Sequence, residues 1–162
     1  MKPFTGAISQ QNIYEACIPY KLQYPYRVIK NQKVEVSSEL FPEKEKDLFV
    51  DEAQEVEIGT HYKLRPVIVI SQSADETFLV VAIAKWKEHA DGKYLLEICD
   101  NKIKERHFLP CKKYEGTLKF NSLALVDAIY RVTKNNIYYR RGRLQQEDYD
   151  AINAKLKKIL AS

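Results

Sequence analysis

Runs of apolar residues separated by short polar turns predict β-strands over most of the chain. Residues 12–19 are mostly apolar and end at Pro19, which is typical of a short strand. Residues 66–70 are wholly apolar and residues 77–84 are rich in β-branched side chains, so both are predicted to be strands buried on two faces. Weaker patterns predict strands at 93–99, 106–111 and 122–132.

A helical pattern closes the sequence at residues 145–160. Its apolar positions recur at helical spacing and form one stripe: Tyr149, Ile152, Leu156, Ile159 and Leu160. Acids near its start and lysines near its end oppose the helix dipole favourably. Antiparallel strands followed by one packing helix predict a mainly β (α+β) fold, with the strands in a small antiparallel sheet or barrel.

The pattern is weaker between residues 20 and 60. Two short strands at 26–30 and 33–37 predict a hairpin around Asn31-Gln32, and a short helix is predicted at 47–54. This region is interpreted as an elaboration of the domain, because a chain of 162 residues is expected to form one hydrophobic core.

Charge is distributed unevenly along the chain. Eight acids and two lysines give residues 38–57 a net charge of −6, so the remaining 24 bases and 14 acids carry +10 within a total of +4. The densest basic stretch, residues 131–143, contains five bases and no acid. A basic body favours an anionic partner such as nucleic acid.

Several classes of protein are disfavoured. The longest apolar run, residues 78–84, is too short to span a bilayer, and the first ten residues lack the apolar stretch of a secretion signal. Cys17, Cys99 and Cys111 form no CxxC pair, as expected of reduced thiols. His107 and Cys111 alone do not make a zinc site. We expect a cytoplasmic protein with no membrane association, metal or cofactor.

Two stretches carry a family resemblance. Residues 64–71 read Leu-Arg-Pro-Val-Ile-Val-Ile-Ser, and residues 121–127 read Asn-Ser-Leu-Ala-Leu-Val-Asp, followed later by Gly142-Arg143-Leu144. These motifs, in this order, resemble the PemK/MazF family of toxin endoribonucleases from bacterial toxin–antitoxin pairs. The resemblance covers about two thirds of the chain, and residues 20–60 occupy the place of that family's short first loop.

The resemblance implies an SH3-like β-barrel, a homodimer, single-stranded RNA as substrate and an antitoxin protein as inhibitor. It also implies metal-independent cleavage of RNA by Arg65 and Asp127. The sequence departs from the family pattern at positions where site residues are usual, which here hold Ala84, Leu125 and Ala128. These departures favour an alternative, in which the same barrel is catalytically impaired and binds nucleic acid or protein.

The chemistry of the candidate residues fits RNA cleavage. The planar guanidinium of Arg65 can hold phosphate oxygens in pairs, and Asp127 can act as a base or orient Arg65. Either residue can instead form an ordinary ion pair. Lys85 offers a cation and His61 a group that titrates near neutrality, so both are possible auxiliary residues, although each can equally be a solvated side chain.

Aromatic residues interleaved with bases indicate single-strand binding, because such proteins combine phosphate contacts with base stacking. Tyrosine and tryptophan also cover the rims of β-barrel cores, which is the structural alternative. The predicted RNA-binding residues are Lys63, Ser71, Trp86, Lys87, Ser122, Tyr130 and Arg131.

The acidic segment is either a solvated excursion or a competitor for the RNA groove. In the second interpretation, residues 43–57 lie over the basic groove and act in cis as an acidic antitoxin does in trans. A third hypothesis makes the chain an antitoxin-like regulator whose insertion recognises another protein. The sequence leaves these alternatives open.

Overall fold

The computed structural model describes residues 1–20, 26–29, 32–35, 57–59, 61–73, 75–86 and 106–162. Chain contacts divide the molecule into two compact units. One unit comprises Met1–Ile18 with Leu64–Ser162, and the other comprises Pro19–Lys63. Every candidate residue with a described side chain, apart from Lys63, lies in the first unit.

The first unit is built around a six-stranded sheet in the order β7-β8-β6-β5-β1-β9. Its strands are β1 (Asn12–Tyr20), β5 (His61–Gln72), β6 (Thr77–Lys85), β7 (Arg106–Leu109), β8 (Ser122–Thr133) and β9 (Ile137–Arg143). The pairs β1–β9, β5–β6, β6–β8 and β7–β8 are antiparallel. Two 3₁₀ helices, η1 (Cys111–Tyr114) and η2 (Lys134–Asn136), connect strands, and α1 (Gln146–Ala161) ends the chain.

Both faces of this sheet are buried, because neighbouring residues on its central strands contribute to two different hydrophobic clusters. The helix-side cluster joins Ile68 and Val81 of the sheet to Ile152 and Leu156 of α1. The opposite cluster contains Val67 and Val80, together with further sheet residues, and the N-terminal residues Phe4 and Ile8 pack against it. Alternating side chains of one strand therefore fill the two clusters in turn.

The second unit contains a three-stranded antiparallel sheet in the order β3-β2-β4. Its strands are β2 (Tyr26–Ile29), β3 (Gln32–Glu35) and β4 (Glu57–Gly59). The hairpin predicted around Asn31-Gln32 is confirmed, with Ile29 paired to Gln32. The predicted helix at 47–54, the predicted strand at 93–99 and most of the acidic segment lie outside the described residues.

The mainly β (α+β) class and the C-terminal helix are confirmed. The sheet is not closed into a barrel: β7 and β9 are its two edges, and the described residues contain no pairing between them. Closure of a sheet into a barrel depends on bends in individual strands, and β8 has a pronounced bend. Its register with β6 passes from Ile129 opposite Val81 to Leu125 opposite Ala82, which leaves residues 126–128 as a bulge.

Two strands were not anticipated from the apolar pattern. β4 has only three residues, and β9 buries only Ile137 fully, so neither leaves a clear hydrophobic signature. The strand predicted at 106–111 is shorter in the structure, because β7 ends at Leu109 and Cys111 begins η1. In the described part of the chain, no helix combines the length and apolar character needed to cross a membrane.

Candidate functional site

A pocket of about 210 Å³ opens between Pro66 of β5, the end of β6 and the start of β8. The antiparallel order of these strands brings their termini to one end of the sheet, which we call the pocket end. Three basic side chains line it beside apolar groups and one hydroxyl: Pro66, Ile83, Lys85, Leu118, Lys119, Phe120, Ser122 and Arg141. A small pocket with an apolar floor and convergent cations suits an anionic ligand that carries a flat ring.

Arg141 is held in the pocket wall by a buried carboxylate. Its Nε donates a hydrogen bond to Glu15 of β1, and its Nη1 donates to the carbonyl oxygen of Thr117 at 3.4 Å. Glu15 is only 5% exposed. Because the register of β1 with β9 shifts from Gly142 to Arg140, Arg141 is the extra residue of a β-bulge, a feature that redirects a side chain.

A close contact beside this bulge requires glycine at position 142. A Cβ atom on Gly142 would lie 2.2 Å from the hydroxyl oxygen of Thr117 and 2.8 Å from its methyl carbon. The loop that carries Thr117 can therefore approach β9 closely enough for its carbonyl group to accept the hydrogen bond from Arg141. Gly142 thus contributes to the orientation of Arg141 without contacting the pocket.

Phe120 supplies an exposed aromatic face at the pocket. The side chain is 50% exposed, and the ammonium nitrogen of Lys85 lies 3.8 Å from the centre of its ring. A cation at this distance is attracted by the ring electrons and restricts the ring's orientation. Ser122 donates a hydrogen bond from its hydroxyl to the carbonyl oxygen of Phe120 at 2.7 Å, which braces the turn that presents the ring.

Arg65 stands next to this pocket but on the other face of β5. Pro66 lines the pocket, and successive side chains of a strand point to opposite faces. Val67 pairs with Ala82 of β6, and counting two residues further along each strand leads to Arg65 and Ala84. The guanidinium of Arg65 is half-buried and takes part in an interaction with the protein.

Asp127 lies in the bulge of β8, and β6 separates its strand from the strand of Arg65. Its carboxylate is exposed and forms an ion pair with Arg106 of β7, with 3.5 Å between Oδ1 and Nε. Arg106 pairs in the sheet with Leu125, so the two charged side chains occupy neighbouring strands. The structure therefore gives Asp127 a cationic partner on β7.

Three predicted RNA-binding residues lie at the other end of the sheet. Ser71 pairs with Leu79, Leu79 pairs with Arg131, and Tyr130 is the next residue of β8. Six residues of β6 separate Leu79 from Lys85, which corresponds to about 20 Å at about 3.3 Å per residue. Arg131 is exposed there, with its Nη2 3.5 Å from Asp75.

The remaining predicted residues divide into three groups. Trp86 is at the pocket end but only 7% exposed, and its ring packs edge-on against Phe108. Lys63 is exposed, belongs to the second unit and has an interaction partner. Lys87 and the side chain of His61 lie outside the described residues.

A second polar cluster joins β7, η1 and α1 around Asp148, which is 7% exposed. Oδ1 lies 2.7 Å from His107 Nε2, while Oδ2 accepts hydrogen bonds from the hydroxyl of Tyr114 and from Lys113 at 2.7 Å. Lys113 also pairs with Glu147. In the described part of the chain, no three histidine, cysteine or acidic side chains are grouped as metal ligands.

Burial and these contacts shift the ionisation of the cluster. Burial alone raises the pKa of Asp148, but hydrogen bonds from Lys113, Tyr114 and His107 outweigh it and hold that pKa below its ordinary value. Burial and the neighbouring carboxylate both raise the pKa of Tyr114, and the carboxylates of Asp148 and Glu147 raise that of Lys113. The cluster is therefore a carboxylate with two firmly protonated donors beside a histidine.

Sequence reasoning missed Lys119 and Phe120 as pocket residues, missed Glu15 as the partner of Arg141, and gave Arg141 no individual role. Glu15 and Arg141 are 126 residues apart, so no local motif joins them. The only available signal was an acidic residue in the otherwise apolar run 13–18, where a buried carboxylate requires a partner.

A comparison with models of protein families matches most of the chain. The family model described as PemK-like, MazF-like toxin of type II toxin–antitoxin system matches residues 47–160. This range runs from before β5 to the last turn of α1 and contains every wall residue of the pocket. A search of curated proteins finds no match.

Proposed function

The chain belongs to the PemK-like, MazF-like toxin family of type II toxin–antitoxin systems, and from this premise we propose that it is a metal-independent endoribonuclease that cleaves single-stranded RNA. The observation that carries the proposal is the pocket end of the sheet. Lys85, Lys119 and Arg141 line the pocket there beside the exposed ring of Phe120, and Arg65 precedes the pocket residue Pro66 on the opposite face of β5. Proteins that bind single strands combine cations along the phosphate backbone with aromatic faces on which bases stack.

Cleavage of RNA without a metal ion uses the 2′ oxygen of the ribose as nucleophile. A base removes the 2′-OH proton, the oxygen attacks the adjacent phosphorus, and the 5′ oxygen leaves with a proton from an acid. Negative charge that develops on the phosphoryl oxygens requires a fixed cation. In this proposal Arg65 supplies that cation, and the product is a 2′,3′-cyclic phosphate or the 3′ phosphate formed by its hydrolysis.

Asp127 is the proposed general base. Its exposed carboxylate can receive a proton, and Arg106 restricts its position. The departure of the 5′ oxygen requires a proton donor, for which His61 and Lys85 are the proposed auxiliary residues. Lys85 lies at the pocket end, where its ammonium group contacts Phe120.

Two partners complete the proposal. Membership of a toxin family of type II systems implies an antitoxin protein, and we propose that an acidic antitoxin segment competes with RNA for the basic pocket end. The active form is proposed to be a homodimer, and cytoplasmic RNA is its substrate.

The decisive experiment incubates the purified protein with a long single-stranded RNA, with and without EDTA. Cleavage at discrete positions that persists in EDTA supports the proposal, whereas cleavage only with added metal contradicts its mechanism. Arg65→Ala is expected to reduce the rate by at least 100-fold, as removal of one preorganised charge-stabilising donor does. Lys157→Ala, on the exposed side of α1, is the matched control and should cleave as the wild type does.

One observation favours a second function, a binding module without catalysis. Ala84 lies nearest to Arg65 across the β5–β6 pair and offers no hydroxyl group to the reaction. Tight binding of RNA with intact strands after prolonged incubation would favour this module over the nuclease.

A further inference from the structure

We propose that the pocket at the end of the sheet is a subsite for one nucleotide of the RNA strand, with Arg141 on its phosphate and Phe120 against its base. This inference rests on the proposed function and assigns the individual contacts within it. Four observations support it: the fixed orientation of Arg141, its remaining donors, the exposed ring, and the size of the pocket.

The ion pair of Arg141 with Glu15 fixes the direction of a cation. Both side chains are largely buried, and burial of an ion pair is often no more stabilising than apolar residues of similar size. The β-bulge redirects the side chain of Arg141, and the close approach of Thr117 to Gly142 allows the carbonyl oxygen of Thr117 to accept a second hydrogen bond from the guanidinium. Three independent constraints on one side chain indicate a preorganised binding group.

Donors remain on this guanidinium for a ligand. A guanidinium has five N–H groups, of which one on Nε is directed to Glu15 and one on Nη1 to Thr117. The Nη2 donors have no hydrogen-bond partner among the residues that the structure describes, and Arg141 lines the pocket. Paired donors in a fixed plane match the oxygens of a phosphate group.

Phe120 and Lys85 together form the base-binding side. Lys85 lies over the Phe120 ring, yet half of the side chain remains exposed to solvent. The pocket volume of about 210 Å³ is below the roughly 300–1,000 Å³ of sites for drug-sized ligands, which limits the occupant to a small group. One nucleotide supplies both a flat ring and an anion.

The test measures binding separately from cleavage. A short fluorescent RNA with 2′-O-methyl riboses cannot be cut through its 2′ oxygens, so its affinity for the purified protein can be followed by fluorescence anisotropy. Phe120→Leu removes the aromatic face and keeps an apolar side chain. The double variant Glu15→Met with Arg141→Met removes the guanidinium and leaves no buried charge behind.

Phe120→Leu is expected to weaken binding by roughly 5- to 150-fold, the range of one base–aromatic stack. For an abasic strand of the same length, the affinity of the Phe120→Leu variant should equal that of the wild type. The double variant should bind both the ordinary and the abasic strand more weakly than the wild type does. Lys157→Gln on α1 is the charge control and should bind both strands normally. Circular dichroism and thermal unfolding check that each variant is folded.

The outcomes separate this inference from the proposed function. If the wild type cleaves ordinary RNA and both variants bind the methylated strand as tightly as it does, the subsite assignment is wrong and the nuclease stands. If the variants lose affinity as expected but the wild type cleaves nothing, the subsite stands and the nuclease is rejected. A wild type that binds no single strand overturns the subsite.

Discussion

Asp148 shows how one buried carboxylate can join three elements that are distant in the sequence. Its carboxylate contacts His107 of β7 and both Lys113 and Tyr114 of η1, while its backbone lies in the first turn of α1. The hydroxyl of Tyr114 also accepts the backbone N–H of Gln145 at 3.1 Å. The start of α1 is therefore secured by side chains outside the helix, because Gln145 provides no side-chain cap.

Asp148→Asn should lower the free energy of unfolding at pH 7 by roughly 1–3 kcal/mol, because it removes charge-assisted hydrogen bonds from a buried site. The folded-state pKa of Asp148 is depressed, so its stabilisation is present above the ordinary aspartate pKa of about 3.9 and is lost as pH falls through the folded-state value. Urea unfolding at pH 7 and pH 3 should show the variant and wild type converging in acid. Asp150→Asn, at an exposed position of the same helix, is the control; an equal loss there would remove the special role of Asp148.

Because Gly142 has no side chain, the loop that carries Thr117 can lie against β9. Gly142→Ala places a methyl group on Thr117 and should destabilise the protein by about 1–3 kcal/mol, as overpacking does. Thr117→Ala removes both of the closest atoms and should restore part of this loss in the double variant. A thermal-unfolding double-mutant cycle measures the coupling, and strictly additive effects would contradict the contact.

At the scale of elements, α1 is attached to the sheet through a narrow apolar stripe. Ile152 is fully buried and Leu156 nearly so in the helix-side cluster, whereas Leu160, one turn further along, is 76% exposed. The amphipathic pattern of residues 145–160 predicted this face, and the structure confirms a helix from Gln146 to Ala161. The last turn has weaker contact with the core.

Ile152→Ala should reduce the free energy of unfolding by about 2–5 kcal/mol, through lost burial and the cavity left behind. Leu160→Ala, which removes a similar number of atoms from an exposed site, should change it by less than about 0.5 kcal/mol. Chemical denaturation monitored by circular dichroism measures both. Equal effects would mean that the helix does not pack as described.

Prediction from sequence succeeded where burial leaves a pattern. β5, β6 and β8 carry long apolar runs and were predicted, as was the hairpin of β2 and β3. β9 was missed because an edge strand rich in tyrosine and arginine buries little, and its place is determined by pairing with β1. The pocket was predicted only in part: Lys85 and Ser122 were named, but the link between Glu15 and Arg141 has no local trace in the sequence.

At the scale of the molecule, the dominant property is the separation of charge along the chain. Residues 38–57 carry a net −6 and the rest of the sequence carries +10. Binding of a single strand by a basic surface releases counterions, and the logarithm of the affinity then falls with the logarithm of salt concentration by about 0.7 for each phosphate neutralised.

RNA affinity should therefore decrease steeply as salt is raised, and Lys119→Gln should reduce the slope by about 0.7 if this lysine neutralises one phosphate. Anisotropy titrations of the uncleavable strand at several salt concentrations measure the slope. Lys157→Gln should leave it unchanged, because its exposed position on α1 is outside the pocket. Affinity independent of salt would contradict phosphate recognition at the pocket end.

Because β1 pairs with β9, the first strand of the sheet waits for one of its partners during synthesis. Glu15 leaves the ribosome 126 residues before Arg141, an interval of about 6–25 s at about 5–20 residues per second. During that interval neither the buried carboxylate nor the outer edge of β1 has the partner found in the finished protein. The pocket wall can be assembled only after Arg141 has been synthesised, so a nascent chain that has not reached this residue cannot present the finished site.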